Sequence, residues 1–158
     1  MKRALVIFAV TANLTFVDAL VKEIAAVRLK GAAAVSILPF FNLAYVENRG
    51  CAWGMFQGKV WPLAVFGLAA LGFLVWKRRS VFNSRLPWLN ALAEQLLYAG
   101  ILGNLLDRIF RGYVIDFLDF HWGASHFPCF NLADTFISVA AGLLILSSLF
   151  FTDKETSR

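Results

Sequence analysis

Two aspartates of this chain stand where acid–base chemistry is made. Asp116 lies in YVIDF, among Tyr113, Val114, Ile115 and Phe117. An aspartate in such apolar company, if unpaired, holds its proton above the ordinary range. Asp134 lies in FNLADTF, at the head of the apolar run ISVAAGLLILSSLFF. Its spacing from Asn131 is that of N-cap and N3, an Asx version of a capping box, and a helix N-terminus favours its ionised form. A helix-start role alone accounts for Asp134 but leaves Asp116 unexplained. One protonated and one ionised carboxyl group sharing a water suit general acid–base work. Asp119 rivals Asp116 for a place in the pair, but Phe120, His121 and Trp122 make it the more interfacial of the two.

Other chemistries are weaker. His121 and His126 are five residues apart, which is not the i,i+4 pair of HExxH, and no HExxH occurs. A metal-dependent hydrolase is a third reading, and it predicts sensitivity to chelators; no metal or cofactor is expected. Ser125 has no G-x-S-x-G elbow around it. Cys51 and Cys129 form no CxxC pair. They read as small, buried and unpaired, although a disulfide is possible if both loops face an oxidising compartment.

The elements that must hold these residues are membrane-like. AVILMFWYC residues make up 59% of the 158, and charged residues only 16%. A soluble domain of this size cannot cover that much apolar surface. Four apolar segments, 4–21, 60–76, 86–106 and 135–151, approach the ~20 residues that cross a bilayer. Residues 1–158 are thus expected to form one integral-membrane domain, an all-α membrane protein of four transmembrane helices. Asn13, Asp18, Asn90, Glu94 and Gln95 interrupt the first and third segments and are expected to face the bundle interior. The first segment has a basic start like a signal peptide, but Asn13 and Asp18 and the lack of a clean cleavage site make it a retained span.

Lys2 and Arg3 precede the first span, Lys77, Arg78, Arg79 and Arg85 separate the second from the third, and Lys154 and Arg158 follow the fourth. The positive-inside rule makes these segments cytoplasmic, giving N-in/C-in, with loops 22–59 and 107–134 outside. The net charge of +5 is dispersed over segment ends, so nucleic acid is not a partner. Residues 35–47, VSILPFFNLAYVE, predict one or two short strands, interrupted at Pro39, that cap the bundle from outside.

The polar clusters all fall on the outer side. Asp18 and Lys22 have the spacing of an i,i+4 ion pair closing a helix end. Asn48 and Gly50 read as a turn in which glycine permits a positive φ, and Asn48 reads equally as a substrate clamp. Asn104 and Arg108 lie one turn apart, and Arg108, which does not deprotonate, is suited to positioning. Asp116, Asn131 and Asp134 complete the set. Such convergence suits an enzyme. It also suits a small transporter or channel with an outward carboxylate vestibule, although the second span offers no polar relay.

The motifs also carry a resemblance. ENRGCAWG resembles N-x-G-x-A-[FW] of the bacterial lipoprotein signal peptidases, or signal peptidase II. GNLLDRIFRGYVIDF resembles their G-N-[LI]-[LI]-D-R-x-x-x-G-x-V-x-D-F, FNLADTFI their F-N-x-A-D-x-x-[IL], and DALVK their D-Q-x-[TS]-K. The likeness extends over nearly the whole chain, with the motifs in the same order. It implies an intramembrane aspartyl endopeptidase of the bacterial cytoplasmic membrane, its site near the extracytoplasmic face. The implied substrates are membrane-held prolipoproteins, cut on the amino side of a diacylglyceryl-modified cysteine. It implies Asp116 and Asp134 as the catalytic dyad, and Asn48, Gly50, Asn104, Arg108, Asn131, Asp18 and Lys22 as residues that shape or orient the site. Ala19 stands where the family has Gln, and Cys51 and Cys129 stand where it often has small residues.

Overall fold

The structure, a computed structural model, describes residues 2–83 and 86–150. Arg85, Phe151, Lys154 and Arg158, used above for orientation and for the end of the fourth segment, lie outside the described residues. The element order is α1 (Lys2–Leu29), β1 (Val35–Leu38), β2 (Phe41–Asn48), a 3-10 turn (Ala52–Gly54), α2 (Val60–Trp76), α3 (Arg78–Val81), α4 (Pro87–Phe110), β3 (Val114–Trp122), β4 (Ser125–His126) and α5 (Leu132–Phe150). Among the described residues, α1 and α5 contain stretches long and apolar enough to cross a membrane, and α2 is a shorter apolar helix.

Each expected helical segment is present, but α1 runs eight residues past the expected end at Val21. The cause is a buried stripe, Ile7, Thr11, Thr15, Asp18, Lys22, Ala25 and Leu29, whose 3–4 residue spacing holds one face of the helix inward throughout. Ala25 and Leu29 pack on Phe117 of β3, so the end of α1 props the sheet. The Asp18–Lys22 pair therefore lies in mid-helix, not at a helix end. By contrast, α2 turns Trp61, Phe66, Leu68, Phe73 and Trp76 outward, with a tryptophan near each end, as helices do against lipid.

Helix α4 is the hub. It packs against α1, α2, α5 and β3, and it buries Asn90, Glu94, Gln95, Asn104 and Asp107 as well as apolar residues. Gly103 lets α1 approach it: a Cβ there would meet Asp18 Oδ2 at 2.5 Å.

The cap is a four-stranded sheet of order β1-β2-β3-β4 in which each paired strand is antiparallel to its neighbour. The β1–β2 hairpin was legible around Pro39. The strand β3, in the loop 107–134, was not, so the molecule has more sheet than the all-α reading allowed. Gly112, at φ 76°, turns the chain out of α4. Val114, Ile115, Asp116 and Phe117 are then buried on both faces, which erases the alternation by which a strand is read.

Candidate active site

Strand pairing and a helix start bring the sequence-predicted aspartates together. In the β2–β3 ladder Asn48 stands opposite Val114 and Val46 opposite Asp116, so Asn48 and Asp116 are diagonal neighbours on one face. Asn48 Nδ2 donates to Asp116 Oδ2 at 2.9 Å. Asn131 Nδ2 donates to the other oxygen, Asp116 Oδ1, at 2.6 Å. The same asparagine caps α5 reciprocally. Its Oδ1 accepts from the Asp134 N–H at 2.9 Å, and its own N–H donates to Asp134 Oδ2 at 3.3 Å. The capping spacing read from the sequence is real, and it ties Asp134 to Asp116 through one residue.

A second layer fixes the first. Asn104 Nδ2 donates to Asp134 Oδ1 at 2.7 Å, and Asn104 Oδ1 accepts from Lys22 Nζ at 3.1 Å and from Asn131 Nδ2 at 3.2 Å. Lys22, fully buried, also lies 2.8 Å from Asp18 Oδ2 and 3.0 Å from Asp107 Oδ2. Asp18 Oδ1 accepts the Ala133 N–H at 2.9 Å, which holds the first turn of α5 onto α1. Asp107, not singled out in the sequence as a site residue, accepts from Arg111 Nε at 2.9 Å and from the Ile115 N–H at 3.3 Å. It thereby connects α1, α4 and the start of β3. Its i,i+4 spacing to Arg111 was the available signal.

Among the described residues, Arg108 forms no ion pair with a carboxylate. Its guanidinium donates to the Asn104 and Gly50 carbonyls, each at 3.1 Å, and so anchors the loop after β2 to α4. Gly50 is required by space rather than by a positive φ: a Cβ there would sit 2.5 Å from the Met55 carbonyl oxygen. Its N–H donates to Asn48 Oδ1, which orients the amide that faces Asp116. The loop continues through Trp53 and Phe56, non-glycine residues at φ 55° and 57°.

Asp116, Asp134, Asn48, Asn104 and Arg108 line a cavity of about 530 Å³ whose other walls are largely apolar. Burial, and then the neighbouring Asp134 charge, push the Asp116 carboxyl up to about 7; the Asn48 and Asn131 amides pull it back in part. Such a group carries a proton near neutrality.

The remaining candidates separate from this site. Asp119 is more buried than its neighbours suggested, but it bonds Asn42 at 3.0 Å and His126 at 2.7 Å rather than the pair. His126 stacks on His121, with centroids 5.1 Å apart. Among the described residues no group of three His, Cys, Asp or Glu is arranged to hold a metal. Cys51 and Cys129 are free and half-buried rather than buried, and both line the cavity. Burial pushes the Cys129 thiol up to about 12, which keeps it protonated.

Comparison with known proteins identifies the family. Residues 10–150 match the signal peptidase (SPase) II family model. The lipoprotein signal peptidase of Shewanella sp. (strain MR-4) is 42% identical over 130 residues, 79% of this chain and 75% of that one. That of Shewanella loihica is 45% identical over 120 residues, 73% and 69% of the two chains. Among solved structures, a bacterial membrane enzyme determined by the in meso method at 2.3 Å superposes with a TM-score of 0.82 at 28% identity, covering 97% of this chain and 93% of that one. A second, at 1.9 Å, gives 0.75 at 29% identity over 96% and 94%. The chain belongs to the signal peptidase II family, membrane-bound aspartic peptidases that remove signal peptides from prolipoproteins.

Proposed function

We propose that Asp116 and Asp134 are the catalytic dyad of this peptidase, with Asp116 the acid and Asp134 the base. The observation that carries the assignment is the Asn131 bridge, which holds both carboxyl groups on one cavity through bonds of 2.6 to 3.3 Å. The raised Asp116 supplies a proton, and Asp134 at the start of α5 supplies a carboxylate. Asp134 takes a proton from water as its oxygen attacks the scissile carbonyl carbon, and Asp116 gives its proton to the carbonyl oxygen. On collapse of the tetrahedral diol, one hydroxyl returns a proton to Asp116 and the leaving nitrogen takes the proton from Asp134. The dyad ends as it began, singly protonated.

Asn48, Asn104 and Asn131 orient the carboxyl groups, Arg108 and Gly50 fix the overlying loop, and Asp18 and Lys22 support the pair from behind. The substrate bond lies on the amino side of a diacylglyceryl-modified cysteine. Its acyl chains hold it in the bilayer at a fixed depth, so orientation is supplied before the peptide reaches the cavity. The chain acts as one integral-membrane domain in the bacterial cytoplasmic membrane. Helices α1, α2, α4 and α5 span it with both termini inside, and the site opens near the extracytoplasmic face. Lys77, Arg78 and Arg79 after α2 support that orientation. The test is gel-shift cleavage of a lipidated prolipoprotein by the purified chain, Asp116→Asn and Asp134→Asn. Wild type should cleave and neither variant should; wild-type rates in either variant would sink the assignment.

A further inference from the structure

The cavity continues into a row of aromatic rings that the chemistry above does not use. Trp53 meets Phe127 at 5.7 Å and 80°, Phe127 meets Phe130 at 6.0 Å and 88°, Phe130 stacks on Phe120 at 5.8 Å and 14°, and Phe120 meets Phe41 at 4.6 Å and 34°. All four separations fall in the range of favourable ring pairs. Trp53, Phe127 and Phe130 line the cavity, whereas Phe120 and Phe41 lie beyond it on β3 and β2. The row is not the interior of the cap. Trp53 is 70%, Phe127 53% and Phe120 39% exposed, while the buried cluster under the sheet is Ala25, Leu29 and Phe117. Phe41 and Phe130 are half-buried, and a partly exposed aromatic strip continuous with a cavity is suited to be a contact surface.

The cavity walls indicate what lies on it. Ile137, Ser138 and Val139 of α5 form the side toward the membrane helices, and Trp53, Phe127 and Phe130 form the side toward the sheet. An apolar signal peptide belongs with the helices, so the chain beyond the scissile bond leaves over the sheet. From Asp116, Phe120 is four residues along β3, roughly 13 Å. An extended peptide covers that distance in about four residues. Resting on the proposed function, we propose that Phe120 and Phe41 extend the active site as a subsite for the mature side of the prolipoprotein. They stack on apolar or aromatic side chains about four residues past the cut.

The test compares two lipidated substrates with the same signal peptide, one ending just after the modified cysteine and one continuing for several residues with an aromatic at the proposed place. Phe120→Ala and Phe41→Ala should each raise KM for the long substrate by about two- to tenfold, the worth of one ring pair, with kcat unchanged. The short substrate should not respond. Phe120→Tyr, which keeps the ring, should restore KM, and glycine at the proposed place in the substrate should abolish the difference between wild type and Phe120→Ala. Equal losses on both substrates would make the rings structural and overturn the subsite. A loss that follows acyl-chain length rather than peptide length would assign the strip to lipid and also overturn it. Cleavage of both substrates with no response in any variant removes the subsite alone; failure of wild type to cleave either removes the peptidase reading with it.

Discussion

Helix α4 carries buried polar clusters at two levels, and only one of them makes a site. Toward its C-terminus, Asn104 and Asp107 meet Lys22 from α1, and Asn104 passes the contact on to Asn131, which caps α5, and to Asp134 in its first turn, with Asp116 of β3 beyond. Toward its N-terminus, Glu94 is held by the Arg78 guanidinium of α3 through two hydrogen bonds, beside Phe82, Ala93 and Tyr98. The first cluster draws side chains from α1, α4, α5 and both central strands and ends on a cavity. The second joins neighbouring elements across a short connection, and none of its residues lines the cavity that Asp116 and Asp134 face. Buried charge in a bundle therefore does not by itself mark function. What marks it is a network that leaves two carboxyl groups facing a space a substrate can enter.

That difference orders the expected effects of substitution. Asp116→Asn and Asp134→Asn each remove an acid–base partner and should lower kcat by at least about 10²- to 10⁴-fold in the cleavage assay while the protein stays folded. Lys22→Met comes next. It leaves Asp18 buried without its cation and Asp107 with Arg111 alone, a loss of roughly 3–5 kcal/mol, seen as a large fall in thermal midpoint together with lost activity. A stable, active Lys22→Met protein would show the second layer to be dispensable.

Asn48→Ala is smaller and more specific. It removes an amide that pulls the Asp116 carboxyl down, so the alkaline limb of the rate should move to higher pH as kcat falls. Smallest is Arg78→Met, which should lower the thermal midpoint by several degrees and leave kcat/KM unchanged. A loss of kcat/KM there would mean that the two levels of α4 are coupled.

The Asp116 environment also sets how stability depends on pH. Its carboxyl binds a proton more tightly in the folded chain, about 7 against an ordinary 3.8. Stability from this group is therefore complete below about pH 4 and lost as pH rises through about 7. Asp116→Asn should flatten that stretch of the stability profile, read as thermal midpoint against pH.

Much of the site was legible because it rests on local rules. Asp134 was visible as a capping residue, Asp116 as a carboxyl in apolar company, and α2 as an uninterrupted apolar run from Val60 to Trp76. What could not be read depends on contacts distant in sequence. The end of α1 at Leu29 follows from the sheet it supports, and β3 has no alternation because both its faces are covered at Val114–Phe117. Gly50 looked like a turn residue because the Met55 carbonyl that crowds it comes from the folding back of the following loop. Asp107 was not read as a site residue for a related reason: its partner Lys22 lies 85 residues away, and only the fold makes them neighbours.

The central claim, a dyad that works with one proton held by Asp116, is tested most directly by the pH dependence of kcat/KM on a lipidated prolipoprotein. The rate should fall along an alkaline limb near pH 7, the value to which Asp116 is raised, and Asn48→Ala should carry that limb upward. A rate that stays level well above pH 7, or a limb that ignores Asn48→Ala, would contradict it.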